Sequence, residues 1–312
     1  MARKRTAGIV AGVAAATGAL ALFSHWAGRR AEQLAPPDGD FVEVDGARLH
    51  YVAIGEGPPI VLIHGLGGQL RNFTYALTER LPGHRLIAID RPRSGYSTVP
   101  GGVEPGLRDQ ADLIAAAIRQ LGLDQPMLVG HSLGGAIALA LALDHPGLVR
   151  GLALIAPLTQ PQDDVPAAFR GIAAAGASKA GRAVMANLIA VPLGALTAAA
   201  TTEAVFAPEP APEDFAVRGG GALALRPGNI YAAIYDMHAA AQEIGGMAAR
   251  YGELTLPVSI LYAREDNILD YRPNGEQTAA AIPGATLQLV DGGHMLPVTQ
   301  PDVTAQFIKD AA

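Results

Sequence analysis

The chain has 312 residues, half of them hydrophobic but only 5% aromatic, so its core has to be built from Ala, Leu, Val and Ile. A net charge of −6 at pH 7, scattered along the sequence, excludes a basic nucleic-acid surface. The lack of cysteine excludes disulfides, thiolate zinc sites and a thiol nucleophile, and leaves the compartment open, since such a chain tolerates reducing and oxidising surroundings alike.

At the N-terminus, Arg3, Lys4 and Arg5 precede an uncharged run from Ala7 to Phe23, mostly Ala, Gly, Val and Leu, which Arg29 and Arg30 close. A basic head before an apolar stretch is the pattern of an export signal or signal anchor. Residues 1–30 are therefore expected to hold the protein at the inner membrane as a transmembrane helix, with the remainder outside the cytoplasm. The lysine and arginine bias toward the first end sets that orientation. A cleaved signal giving a secreted form, or an Ala-rich helix of a cytoplasmic protein, are the alternatives. Residues 31–39, with Pro36, Pro37 and Gly39, read as a linker.

Two alternating runs, from Phe41 to Val44 and from Ala47 to Ile54, flank Asp45-Gly46, a hairpin signal. Six short apolar runs follow, at Ile60–Ile63, Leu86–Ile89, Met127–Val129, Leu152–Ile155, Val258–Tyr262 and Thr286–Val290. Runs apolar on both faces and separated by helices imply an α/β fold whose mostly parallel, eight-stranded sheet carries helices on both faces. The gap between the fourth and fifth of these runs is too long for a crossover. Residues 157–254 are expected to form an inserted helical lid, leaving 40–156 and 255–312 as the core domain.

Gly130-His131-Ser132-Leu133-Gly134 stands between an apolar run and an Ala/Leu-rich helix. A G-x-S-x-G in strand–turn–helix context lifts a serine hydroxyl above the sheet, and a Cβ at the flanking glycines would collide with strand and helix. A hydroxyl needs a base, and His294 in Gly292-Gly293-His294 stands just past the last strand. The base needs a carboxylate to fix its tautomer; Asp266 lies beyond the Val258–Tyr262 run, with Glu265 and Asp270 as competitors. Two oxyanion donors are expected, the amide of Leu133 and that of Leu66 in the loop His64-Gly65-Leu66-Gly67-Gly68. That loop does not complete a dinucleotide fingerprint, because Leu70 occupies the third glycine's place. His50, His84, His145 and His238 read as structural.

With these motifs in place the sequence resembles the α/β-hydrolase family over roughly residues 40–310 outside the lid. The likeness rests on His64-Gly65, on Asp90-Arg91-Pro92-Arg93-Ser94-Gly95-Tyr96-Ser97, on the serine elbow, on Asp266 and on Gly293-His294. Capped esterases, carbon–carbon bond hydrolases and cofactor-free haloperoxidase-like proteins are the most similar group. Arg93 departs from the pattern, which has Gly there. Ser132 speaks against epoxide hydrolases and haloalkane dehalogenases, whose nucleophile is Asp.

The resemblance implies a serine hydrolase that cleaves a carboxylic ester, with Ser132, His294 and Asp266 as its triad and neither metal nor organic cofactor. The substrate is expected to be a small, apolar ester. Carbon–carbon bond cleavage and acyl transfer on the same triad are alternatives, as is a non-catalytic binding module. A diketone-cleaving enzyme would need a cationic lid residue for its substrate's carboxylate, for which Arg170, Arg182, Arg218 and Arg226 are available.

Overall fold

The computed structural model describes residues 2–162, 170 and 178–312. Asp40–Val44 (β1) and Ala47–Ile54 (β2) pair antiparallel, with Val44 opposite Ala47. Asp45 and Gly46 between them have φ of 48° and 78°. Positive φ at both central residues is what a two-residue type I′ turn requires. β2 pairs antiparallel with Arg85–Ile89 (β4). Pro59–Ile63 (β3), β4, Met127–His131 (β5), Gly151–Ile155 (β6), Val258–Ala263 (β7) and Thr286–Val290 (β8) are parallel to one another. The sheet order is β1-β2-β4-β3-β5-β6-β7-β8. Each apolar run read from the sequence is a strand to within two residues.

The longer helices, in chain order, are α1 (Ala2–Leu34), α2 (Leu107–Gln120), α3 (Leu133–Asp144), α4 (Lys179–Phe206), α5 (Pro227–Ala248) and α6 (Pro301–Ala311). Alternate strand residues feed opposite faces of the sheet. Ile63, Ile87, Leu128, Leu154 and Ile260 pack in one cluster with α2 and α3. Leu62, Ala88, Val129, Ala153 and Leu261 pack in the other with Phe73, Leu296, Phe307 and Ile308. Neither face of the central strands meets water, so their sequences are continuously apolar.

The long gap between β6 and β7 holds α4 and α5. Of the expected lid, residues 163–169 and 171–177 lie outside the described residues. α4 passes through a π-helical stretch, Met185–Ala190, just before Pro192. Proline has no N–H to give the Leu188 carbonyl, and that missing bond accounts for the local widening.

The expected linker is corrected at its start. α1 continues to Leu34, and Ser24, Ala27, Gly28, Ala31 and Ala35 are buried. Their spacing is that of one helix face, and their small side chains let the neighbouring elements approach closely. Ala27 meets Ala186, Ala190 and Val191 of α4 and Ile230 of α5, while Ala31 and Ala35 meet Leu223. A Glu32–Arg226 ion pair at 3.1 Å closes the seat. What reads as punctuation in the sequence is thus half helix.

Candidate active site

β5 delivers its chain into a turn too tight for an ordinary backbone. Ser132 caps α3 at φ 55° and ψ −122°. A non-glycine residue held there costs about 1–3 kcal/mol and persists only where the surroundings over-determine it. Here they do: the Ser132 N–H donates to the Ile155 carbonyl at 3.0 Å, and the Ser132 carbonyl accepts from Gly135 at 2.9 Å and Leu158 at 3.0 Å. A Cβ at Gly134 would stand 2.0 Å from the Ile63 carbonyl oxygen, and one at Gly130 2.6 Å from that of Gly134. The glycines of the motif are therefore demanded by strand and helix, as their spacing implies.

His294 follows β8, and its Nδ1–H donates to Asp266 Oδ2 at 2.7 Å. Asp266 follows β7, and its other oxygen accepts the N–H groups of Ile268 at 2.8 Å and Leu269 at 3.0 Å. Burial pushes the Asp266 carboxyl up, but the His294 ring and these backbone donors outweigh it and hold the group below the usual carboxylate range. Both competitors are engaged elsewhere. Glu265 accepts the Gly292 N–H at 2.5 Å, and Asp270 accepts that of Arg272 at 2.9 Å.

Ser132, His294, Leu66 and Leu133 all line one cavity of about 340 Å³. Leu133 is the first residue of α3, so its amide has no carbonyl four residues back within the helix. Among the described residues the Ser132 hydroxyl makes no hydrogen bond, to His294 or to any other group; such bonds often tighten only once substrate is bound. The remaining wall is mostly apolar: Val205 and Phe206 from α4, Met237 and Ile244 from α5, and Ile268 and Leu269 beyond β7. No lysine or arginine lines it among the described residues. Arg182 pairs with Glu104, Arg218 with Asp214 and Arg226 with Glu32, all away from the cavity. His50, His84, His145 and His238 also stand outside it.

Three supporting groups were not legible as such in the sequence. His131 donates from Nε2 to the His294 carbonyl at 2.9 Å, with the two rings 4.9 Å apart. Burial, with His294 alongside, lowers its pKa to about 3, so it stays neutral. A polar residue closing an apolar strand was the one available signal. Glu209, from the Pro-rich stretch after α4, accepts the Gly293 N–H at 2.8 Å and a Gln300 amide N–H at 2.9 Å. Arg91 is fully buried and donates to Asp236 of α5 and Gln110 of α2, each at 2.8 Å, and to the Gly65 carbonyl at 3.1 Å. It thereby ties the insertion to the loop that carries Leu66. Nothing local marked Glu209 or Asp236, whose partners lie far away in the chain.

Arg93, where the family pattern has Gly, has φ 68°. The glycine conformation is kept with a side chain on it. The guanidinium donates to the Val103 carbonyl and lies 5.1 Å from the centre of the Tyr231 ring on α5. These contacts offset the strain of a left-handed arginine.

The alpha/beta hydrolase fold family matches residues 58–301, and the chain belongs to it. It is 36% identical over 119 residues to the dihydrolipoyllysine-residue acetyltransferase component of an acetoin-cleaving system from Cupriavidus necator, covering 38% of this chain and 32% of that protein. It is 33% identical over 144 residues to a 2-hydroxymuconate semialdehyde hydrolase of a Pseudomonas species, covering 43% of this chain and 51% of that one. The chain thus spans about a third to a half of these curated relatives. Among solved structures, a bacterial membrane phospholipase A superposes with a TM-score of 0.69 at 21% identity, over 99% of both chains, a likeness of fold.

Proposed function

We propose that the chain is a membrane-anchored serine hydrolase that cleaves a neutral, apolar carboxylic ester. The observation that carries this reading is the His294–Asp266 hydrogen bond at 2.7 Å beside a cavity that also receives the strained Ser132. His294 takes the hydroxyl proton at Nε2 as Ser132 Oγ attacks the ester carbonyl. Asp266 holds the opposite ring N–H and balances the imidazolium charge. The Leu66 and Leu133 amides receive the oxyanion. Collapse of the tetrahedral adduct expels the alcohol, which takes the proton back from His294, and leaves an acyl-enzyme. Water, activated by the same ring, then releases the acid. This route needs no metal or organic cofactor.

The cavity wall favours an ester over a ring-fission diketone, because among the described residues no arginine faces it to hold a substrate carboxylate. Residues 157–254 act as the lid that shapes the pocket and excludes water. The N-terminal helix anchors the enzyme with the domain on the outer side of the inner membrane, a reading supported by its basic head and apolar run. Intact mass after reaction with a fluorophosphonate should show one adduct, on Ser132, and purified enzyme should turn over p-nitrophenyl butyrate. Labelling at another residue, or turnover of a ring-fission diketone but of no ester, would overturn the reading.

A further inference from the structure

From Ala195 to Thr201 every residue of α4 is exposed, although residues 183–202 carry no charge. Val184, Ile189 and Leu193 are about half exposed, at 50%, 46% and 51%, and Leu196 reaches 86%. A helix apolar all round is normally buried in protein or in lipid. α4 is long and apolar enough to cross a bilayer, yet only 17% of its apolar window is covered. Both of its ends are fastened to the domain, however. Arg182 is paired with Glu104 at 2.7 Å, and Phe206 packs with Phe215, Met295 and Val298. It therefore lies across the domain surface rather than spanning anything.

Its neighbour says what covers it. From Arg5 to Trp26, α1 rises about 32 Å at 1.5 Å per residue, matching a hydrocarbon core of about 30 Å. The basic head stands at one boundary, and Trp26, exposed beside Phe23, stands at the other with Arg29 and Arg30. Ala27, one residue past that boundary, is the residue that packs on Ala186, Ala190 and Val191 of α4. α4 is thus seated at the level where α1 leaves the bilayer. The end of α4 away from that seat supplies Thr201, Thr202, Val205 and Phe206 to the cavity wall.

We propose that α4 is a second membrane element: its outer face, centred on Leu193 and Leu196, sinks into the lipid at the boundary α1 enters. Its far end makes the bilayer the route by which a lipid-dissolved ester reaches Ser132. This rests on the anchor reading of α1, and the test separates the two. The chain has one tryptophan, Trp26, and no cysteine, so each helix can be probed alone. The full-length L196C variant, carrying an environment-sensitive dye, is reconstituted in vesicles of phosphatidylethanolamine and phosphatidylglycerol with brominated lipids. Quenching of both Trp26 and the dye is the expected result. Quenching of Trp26 alone overturns the proposal while the anchor stands; quenching of neither overturns both. Energy transfer between dyes on two copies, without lipid quenching, assigns the face to a dimer instead and also overturns it. In a functional arm, L193E/L196E should lose about tenfold or more on a long-chain ester dissolved in the vesicles and stay within about twofold on p-nitrophenyl butyrate. Undiminished hydrolysis of the vesicle-borne ester would remove the route.

Discussion

Helices α3 and α4 are written in nearly the same alphabet, rich in Ala and Leu and poor in charge, and they meet opposite fates. Every residue of α3 from Leu133 to Leu143 is buried, because the sheet lies under it and α2 and α5 pack beside it. Among the described residues α4 has a small seat on α1 and α5 and attachments at its two ends, with its middle left open. The difference teaches that apolar composition specifies a demand for burial and leaves open what will meet it. Protein meets it for α3, and the rigidity that follows suits a helix whose start carries the proposed nucleophile and oxyanion donor. For α4 the demand is left largely unmet among the described residues.

The comparison can be broken most severely at the start of α3. Ser132→Ala should leave a folded protein whose kcat on p-nitrophenyl butyrate falls by about 10⁴-fold or more. Substantial turnover by that variant would deprive α3 of its role. Packing is tested next, by urea unfolding of detergent-purified protein. Leu139→Ala, at a fully buried site of α3, should destabilise by about 2–5 kcal/mol. Leu196→Ala, the matched truncation on α4, should stay within about 0.5 kcal/mol under the same lipid-free conditions. Equal losses would erase the distinction.

A third change asks whether α4 is merely outward-facing. The chain leaves α4 through Ala207-Pro208 into Glu209, which grips the Gly293 amide beside His294. Glu209→Gln should lower kcat about tenfold, roughly 1.4 kcal/mol of barrier, with KM little changed. An unaltered kcat would mean that the loop needs no such grip. The last test concerns two glycines with opposite expectations. Gly194→Ala meets only the Leu225 side chain, 3.1 Å away, so improved helix propensity should stabilise α4 by up to about 1 kcal/mol. Gly134→Ala, driven to 2.0 Å from the Ile63 carbonyl oxygen, should destabilise by clearly more than that. A thermal melt of the pair gives the sign of each.

The strands were legible because a central parallel strand is apolar at every position and is bounded by turn residues, a pattern that Leu128, Val129 and Leu154 all show. The places of Ser132, Asp266 and His294 beyond strand ends were legible because each follows such a run. The sheet order was not, since nothing in Pro59–Ile63 says that Arg85–Ile89 lies on one side of it and Met127–His131 on the other. The full reach of α1 was hidden for a related reason. Its buried face is made of Ser, Ala and Gly, which carry almost no hydrophobic signal, while Arg29, Arg30 and Glu32 gave the same segment a solvent-facing look. Contacts such as Glu209 with Gly293 link residues far apart in the chain, and no local pattern announces them.

The unbroken run of α1 from Ala2 to Leu34 has a mechanical consequence. A flexible tether of nine residues would let a domain wander by about 16 Å and turn freely. A continuous helix seated at Ser24, Ala27, Gly28, Ala31 and Ala35 is a shaft without a joint. Whatever tilt its first half adopts is handed on whole, so a domain anchored as proposed above would hold one attitude and one working height. On the anchored reading proposed above, its encounters would become a search in a plane, governed by lateral diffusion of the substrate rather than by swinging of the enzyme.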